Sequence, residues 1–239
     1  MPTAGVVIIG NEILSGKFAD ENTPWLVNRL RALGCDLLRV AVIPDTLDDI
    51  ALEVAVQSAR FDWVFTTGGV GPTHDDLTFA GVAQAFGVPL HHHPELVAIL
   101  HRKMGSACNE AALRMAEVPE GSELWWDGGV TYPLVVTRNV CIFPGVPSLL
   151  KLKFDLVAHR FAGTPMSTRR LQSHDTESAI AHALTTACEL FPAVSIGSYP
   201  RLDEVPFRVI ITLESRDEGA LNACARWLLG RGPGLTEAS

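Results

Sequence analysis

The chain has 239 residues, 47% of them hydrophobic, a mean hydropathy of +0.20 and a net charge of −8. A chain of this length and composition can bury a full core, which excludes general disorder. Its acidic balance argues against a nucleic-acid partner and an anionic membrane surface, and no apolar run approaches the ~20 residues of a membrane span.

The cysteines indicate the redox compartment. Cys35, Cys108, Cys141, Cys188 and Cys224 are odd in number, and no two of them form a C-x-x-C pair. A reduced, cytoplasmic protein is the simplest interpretation. The N-terminus lacks a basic region followed by a cleavage site, so we expect no targeting signal.

The first third of the chain alternates strand and helix signals. Residues 5–9 and 61–67 are apolar runs of strand length, and residues 36–43 predict another strand. Residues 10–16 are expected to form a loop. Apolar residues at helical spacing follow at 24–33, where Asn22 is expected to cap the helix and Gly34 to end it, and at 79–86. Thr46 is expected to cap another helix after the strand at 36–43. This alternation predicts a parallel α/β sheet whose strand-to-helix loops share one edge.

From residue 87 onward the pattern is less regular. Helices are expected at 95–103 and 148–159, and short strands at 123–126, 134–137 and 140–143. The glycines of Asp127-Gly128-Gly129 predict a turn between two of these strands.

Gly163-Thr164-Pro165 predicts the domain boundary. We expect an α/β domain over residues 1–162 and a small α+β unit, in β-α-β-β-α order, over residues 166–231. Residues 232–239 are expected to be a frayed tail.

A glycine-rich turn links the strand at 61–67 to the next helix. Gly68, Gly69 and Gly71 allow positive φ and a close approach of backbone N–H groups, as a phosphate at a helix N-terminus requires. Asp75 and Asp76 would repel a phosphate directly but can hold a divalent cation beside it. Alternatively, both aspartates only cap the helix and complement its dipole.

Two further carboxylates follow predicted strands. Glu12 comes after the first strand and Asp45 after the second. In open α/β sheets, ligands bind at this carboxyl edge. Taken alone, Asp45 also suits a helix-flanking residue, and Glu12 suits a solvated loop carboxylate.

Three motifs carry a family resemblance. They are Gly10-Asn11-Glu12-Ile13-Leu14-x-Gly16, Thr67-Gly68-Gly69-Val70-Gly71-Pro72-Thr73-x-Asp75-Asp76-x-Thr78 and Pro144-Gly145-Val146-Pro147. In this order they resemble the N-terminal molybdopterin-binding-like domain of the competence/damage-inducible protein A family, which is also found in FAD synthase fusions. The segment after Pro165 is similar to the family's following segment, so the resemblance covers nearly the whole chain.

The resemblance implies a three-layer, mostly parallel α/β fold like that of molybdopterin adenylyltransferases. It also implies hydrolysis of a dinucleotide pyrophosphate, such as FAD or ADP-ribose, with Mg²⁺, Mn²⁺ or Co²⁺. By position, Asp45 and Asp76 would be catalytic, and Asp45, Asp75 and Asp76 would hold the metal. The ligand-binding residues would be Asn11, Glu12, Asn22, Gly68, Gly69, Gly71, Thr73, Pro144 and Gly145.

Other functions stay open at this stage. The same residues could adenylate molybdopterin, or the protein could bind a nucleotide or pterin without catalysis. Many family members continue into a nicotinamide-mononucleotide deamidase domain, and that activity is not expected here. Residues 127–133 depart from the asparagine and Ala-Pro-Gly loop expected of the family, which leaves recognition on that side undefined. Related folds self-associate, so a homo-oligomer is expected by analogy.

Overall fold

A computed structural model describes residues 1–126, 132–201 and 207–238. The chain forms two compact units, Met1–Gly163 and Thr164–Ser239. Within the described residues, no helix combines the length and the apolar character that a membrane span requires. The turn expected at residues 127–129 lies outside the described residues.

The first unit is built on a six-stranded sheet. Its elements are β1 (Thr3–Ile9), α1 (Asn11–Leu14), α2 (Asn22–Leu33), β2 (Asp36–Ile43), α3 (Leu47–Ser58), β3 (Trp63–Thr67), α4 (Thr78–Phe86), β4 (Leu90–His92), α5 (Pro94–Met104), α6 (Glu110–Leu113), β5 (Glu117–Pro119), β6 (Glu123–Trp125), β7 (Leu134–Thr137), β8 (Val140–Phe143) and α7 (Pro147–Val157). The strand order is β2-β1-β3-β8-β7-β6, with β4 and β5 forming a separate pair. Strands β2, β1, β3 and β8 are parallel, whereas β7 and β6 are antiparallel additions. The predicted mostly parallel sheet is confirmed.

Helices cover both faces of this sheet. Along β1, Val6 and Ile8 belong to one apolar cluster, and Val7 and Ile9 belong to another. Helices α2 and α7 pack on the first side, and α3, α4 and α5 pack on the second. Because successive side chains of a strand point to opposite faces, a continuous apolar run requires this double cover. The three-layer arrangement follows.

Local signals set several of the helix ends as expected. Helix α2 stops at Gly34, which adopts the left-handed conformation with φ 74°. At the start of α3, the Thr46 hydroxyl accepts a hydrogen bond from the Asp49 N–H at 3.4 Å. The loop expected at residues 10–16 differs from prediction, because it contains the short helix α1.

The second unit is an antiparallel sheet with two helices. Its elements are β9 (Ser167–Ser173), α8 (Glu177–Leu190), β10 (Ser195–Pro200), β11 (Val209–Ser215), α9 (Glu218–Arg231) and β12 (Leu235–Glu237), with sheet order β10-β11-β9-β12. The tail expected to fray over residues 232–239 instead contributes β12, which pairs with β9. The prediction was wrong because Leu235 is buried in this unit's apolar core, where its burial offsets the entropy of ordering the end.

Candidate functional site

Strand register brings the three sequence motifs to one edge of the large sheet. Ile9 lies opposite Ile43, Ile8 lies opposite Thr67, and Thr67 lies opposite Phe143. The residues that follow these strand ends therefore emerge side by side. This edge is the carboxyl end of the parallel strands, where open α/β sheets bind ligands.

The glycine loop packs its backbone against its neighbours. Gly68 has φ +102°, and a Cβ atom there would lie 2.0 Å from the carbonyl oxygen of Ile9. A Cβ atom at Gly145 would lie 3.2 Å from the Gly68 Cα. Within the described residues, the N–H groups of Gly69 and Gly71 donate to no acceptor. The loop therefore offers free backbone donors in a place where side chains do not fit.

Hydrogen bonds hold the loop to the start of α4. The Thr78 hydroxyl donates to the Gly68 carbonyl at 2.7 Å, and the Thr78 N–H donates to the Gly69 carbonyl at 3.1 Å. A Cβ atom at Gly69 would lie 2.4 Å from the Thr78 hydroxyl oxygen. The turn conformation thus depends on the glycines and on this buried threonine.

Asp76 is folded back onto the glycine loop. Its Oδ2 accepts a hydrogen bond from the Thr73 N–H at 2.8 Å and another from the Thr73 hydroxyl. A Cβ atom at Gly71 would lie 2.5 Å from the same carboxylate oxygen. One Asp76 oxygen is therefore engaged in loop structure, and Oδ1 remains for a ligand.

Asp45 links the first two loops of the edge. Its Oδ2 accepts a hydrogen bond from the Asn11 N–H at 2.7 Å. Burial raises the pKa of the Asp45 carboxyl above its usual value, although the Asn11 hydrogen bond opposes this, and the negative charges of Glu12, Asp75 and Asp76 raise the pKa further. Four carboxylates therefore share one electrostatic environment.

Asn22 occupies a different place from the one its sequence context suggested. It was expected to cap α2, but Asp20 Oδ1 accepts hydrogen bonds from the N–H groups of Asn22 and Thr23 at 2.9 and 3.0 Å. The Asn22 side chain is then free to donate from Nδ2 to Thr67 Oγ1 at 3.0 Å and to the Gly145 carbonyl at 2.8 Å. The Asn22 side chain therefore connects the end of β3 to the loop that follows β8.

The side-chain amide oxygen of Asn22 is a buried hydrogen-bond acceptor that lacks a donor among the described residues. Asn22 is only 7% exposed, and its Oδ1 has no hydrogen-bond partner within the described part of the chain. A buried acceptor without a donor costs about 1–3 kcal/mol, so natural proteins rarely retain one without use. Asn22 also lines the cavity at this edge. We therefore expect a ligand N–H or O–H group to bind Oδ1.

That cavity has a volume of about 550 Å³. Five predicted site residues line it, namely Glu12, Asn22, Gly68, Asp75 and Gly145. The other predicted residues are not in its wall: Asn11, Asp45, Gly69, Gly71, Thr73 and Asp76 lie on adjoining loops, and Pro144 accepts a hydrogen bond from Thr67 Oγ1 at 3.2 Å. The predicted residues therefore lie at one edge of the sheet, but they do not all line the same cavity.

Sequence reasoning missed Lys17, which also lines this cavity. A cation beside the glycine loop favours an anionic ligand, since the site otherwise carries negative side chains. Its signal in the sequence was weak, because Lys17 is one lysine in a loop after the first motif. Only the return of that loop toward Gly68 brings it to the site.

The expected metal set is not assembled as predicted. In residues 1–126, 132–201 and 207–238, no three His, Cys, Asp or Glu side chains group as metal ligands. The physical reason is local: Asp76 is turned toward Thr73, whereas the Asp75 side chain is 65% exposed. A divalent cation near Asp45 would reduce the repulsion between Asp45 and the neighbouring carboxylates. Two carboxylates can suffice, because proteins commonly hold Mg²⁺ through one or two carboxylates together with substrate phosphates.

Comparisons with known proteins agree with both units. Residues 5–163 match the family described as "probable molybdopterin binding domain", and residues 165–236 match "FAD synthase, middle domain". A protein of Archaeoglobus fulgidus is 33% identical over 89% of this chain and 90% of its own length. A probable FAD synthase of Caenorhabditis briggsae is 33% identical over 92% of this chain, which spans about half (48%) of that longer protein.

A solved structure shows the same fold for the first unit. The crystal structure of the protein CinA, with unknown function, from Thermoplasma acidophilum has 30% sequence identity and a TM-score of 0.62, covering 67% of this chain and 98% of that one. The resemblance seen in the three sequence motifs is therefore confirmed. The chain belongs to the family of probable molybdopterin binding domains, and a FAD synthase middle-domain segment follows that domain.

Proposed function

We propose that this protein is a nucleotide pyrophosphatase that hydrolyses a dinucleotide pyrophosphate of the FAD or ADP-ribose type with a divalent cation. The observation that carries the proposal is the meeting of a glycine loop bearing free N–H donors with Asp45 and Asp76 at one sheet edge. The relatives named probable FAD synthase add support for a flavin nucleotide.

Each group has a role in this reaction. The N–H groups of Gly69 and Gly71 bind phosphoryl oxygens and stabilise the charge that develops on them. Asn22 Oδ1 accepts a hydrogen bond from the nucleoside part. Asp45 and Asp76 would hold the cation, which would neutralise charge at the pyrophosphate and acidify water. Water attacks one phosphorus, the bridging P–O bond breaks, and two monophosphates leave.

A substrate screen tests the proposal directly. Purified protein with Mg²⁺, Mn²⁺ or Co²⁺ is expected to convert FAD or ADP-ribose to AMP and a second monophosphate, and EDTA is expected to stop the reaction. Chromatography of the nucleotides measures both products. If none of these dinucleotides is cleaved while a pterin binds tightly, the protein is not a hydrolase, and the alternative of pterin binding without catalysis is supported.

Adenylyl transfer is the second candidate, and the family assignment favours it. The same loop and carboxylates would serve, since both reactions place a nucleophile at a nucleotide phosphorus. Product analysis separates the two reactions. With molybdopterin present, transfer yields an adenylated acceptor, whereas hydrolysis yields free AMP.

The raised pKa of Asp45 predicts a pH dependence. Because burial and neighbouring carboxylates disfavour the ionised form, Asp45 stays protonated to a higher pH than an ordinary aspartate, and activity is expected to fall as the pH decreases through this raised pKa. A bound cation favours the carboxylate, so increasing Mg²⁺ is expected to move this acid limb to lower pH. Profiles of kcat/KM against pH at several Mg²⁺ concentrations measure the shift.

A matched variant sharpens that experiment. Glu12→Gln removes one of the negative charges that raise the Asp45 pKa, so its acid limb is expected at lower pH than in the unmodified protein. An acid limb that moves neither with Mg²⁺ nor with Glu12→Gln would contradict the assignment of Asp45.

A further inference from the structure

A second cavity, of about 450 Å³, adjoins the glycine loop and is lined by Val70 of that loop but not by Asn22. The two cavities share no lining residue, yet they use the same loops: Gly68 and Gly145 line the first, and Val70 and Pro144 line the second. A Cβ atom at Gly145 would lie 3.2 Å from the Gly68 Cα, so these two loops approach each other closely where they border both cavities. The second cavity is large enough for a ring system, since small-molecule pockets typically measure about 300–1,000 Å³.

The walls of this second cavity are mainly apolar. Phe79, Leu100, Val135 and Ile142 form its floor and are buried, and Leu149 of α7 stands at its rim with 46% exposure. Such walls suit a flat aromatic group, which loses unfavourable contact with water on entering.

Two lysines supply the polar groups of the cavity. Lys153 Nζ donates to the carbonyl oxygens of Tyr132 and Pro133 at 2.9 and 2.6 Å and lies 5.0 Å from the centroid of the Tyr132 ring. An ammonium group has three donors, so one remains on Lys153. Lys103 also lines the cavity, and no carboxylate among the described residues pairs with either lysine.

Burial, together with the nearby charge of Lys103, lowers the pKa of Lys153 to about 8. Keeping the Lys153 ammonium group charged in this cavity therefore costs free energy, and a hydrogen-bond acceptor on a ligand would reduce that cost. Lys153 keeps one unused donor beyond its two carbonyl partners, Lys103 donates to no acceptor among the described residues, and the Tyr132 hydroxyl is already donating to the Met115 carbonyl. The cavity therefore selects rings that carry carbonyl oxygens over rings that carry amino groups.

We propose that this second cavity binds the carbonyl-bearing aromatic ring of one half of a dinucleotide, while the first cavity binds the other half and the glycine loop between them binds the pyrophosphate. This proposal rests on the proposed function for the pyrophosphate and adds the ring class that the site prefers. A flavin ring has the required carbonyl oxygens, whereas adenine has none.

Direct binding in the absence of divalent cations tests this inference without any turnover. Titrations with FMN, followed by quenching of flavin fluorescence, and with AMP, followed by calorimetry, would use the full chain in EDTA. Leu149→Trp fills the rim, and Lys103→Met removes a charge but keeps the stem. Each is expected to weaken FMN binding by about 10-fold, the equivalent of one lost apolar or charged contact, and to leave AMP binding within 2-fold.

Matched controls come from the same unit. Leu52→Trp changes an exposed leucine of α3 outside the cavity, and Lys151→Met changes a lysine of α7 that does not line it, so both should bind FMN as the unmodified protein does. Unchanged FMN affinity in both Leu149→Trp and Lys103→Met would overturn the proposal even if FAD is hydrolysed. Selective loss of FMN binding would support the cavity even if no dinucleotide is cleaved, so the two proposals fail separately.

Discussion

Replacing Asp76 with asparagine is expected to lower kcat/KM for dinucleotide hydrolysis by about 100-fold or more, a magnitude typical of removing one electrostatic group from an active site. The side-chain amide oxygen can still accept the Thr73 N–H that Asp76 Oδ2 now accepts at 2.8 Å, so the loop should keep its shape. What is lost is the negative charge proposed to hold the cation. Steady-state kinetics across a range of Mg²⁺ concentrations measure the loss, which excess Mg²⁺ should partly restore.

Asp62→Asn is the control for this substitution. Asp62 precedes β3 at the opposite edge of the sheet and accepts hydrogen bonds from the Thr3 N–H and hydroxyl at 2.8 and 2.7 Å. The control removes the same charge away from the site, so activity should stay within 2-fold of the unmodified protein. If Asp76→Asn and Asp62→Asn were equally active, Asp76 would have no catalytic part and the loop aspartates would be helix-start residues only.

Replacing Gly68 with alanine is expected to destabilise the first unit by about 3 kcal/mol or more, which combines a strained backbone with a steric clash. At φ +102° an alanine Cβ would lie 2.0 Å from the Ile9 carbonyl oxygen, and backbone atoms cannot yield as a flexible side chain would. The loop must therefore move away from β1. Urea unfolding followed by tryptophan fluorescence reports mainly on this unit, because Trp25, Trp63, Trp125 and Trp126 lie in it.

Gly16→Ala separates strain from clash. Gly16 also has a positive φ, +71°, but nothing lies within 4 Å of a Cβ atom built there. Its cost should be about 1 kcal/mol, the value for a left-handed residue alone. Equal losses of stability in the two variants would show that the contact between Gly68 and Ile9 has no energetic importance.

Much of the sheet could be predicted from sequence because its signals are local. The run Val6–Ile9 is continuous and apolar, which only a strand covered on both faces satisfies, and Gly34 ends α2 in the conformation that glycine favours. Alternating strands and helices then required parallel strands, so the carboxyl ends carrying Glu12, Asp45 and Gly68 had to share an edge.

One error arose because the partners are distant in the chain, and another arose because two nearby residues can fill the same role. The final strand β12 is ordered by β9 and by burial of Leu235, neither of which a window of neighbouring residues contains. The cap expected from Asn22 was taken by Asp20, which left Asn22 to bridge Thr67 and Gly145. Nearest-neighbour rules have no term for such competition.

By itself, the sequence determined the glycine-rich turn, the alternation of strands and helices that places it at the carboxyl edge of a parallel sheet, and the family. Those properties follow from glycine content, apolar periodicity and motif spacing, which are set residue by residue. Only the tertiary structure decided that Asp76 turns to Thr73 while Asp75 faces solvent, that Asn22 keeps an unpaired Oδ1, and that Lys103 and Lys153 meet in an apolar cavity. Side-chain direction and long-range pairing are outcomes of packing, so they cannot be obtained from spacing alone.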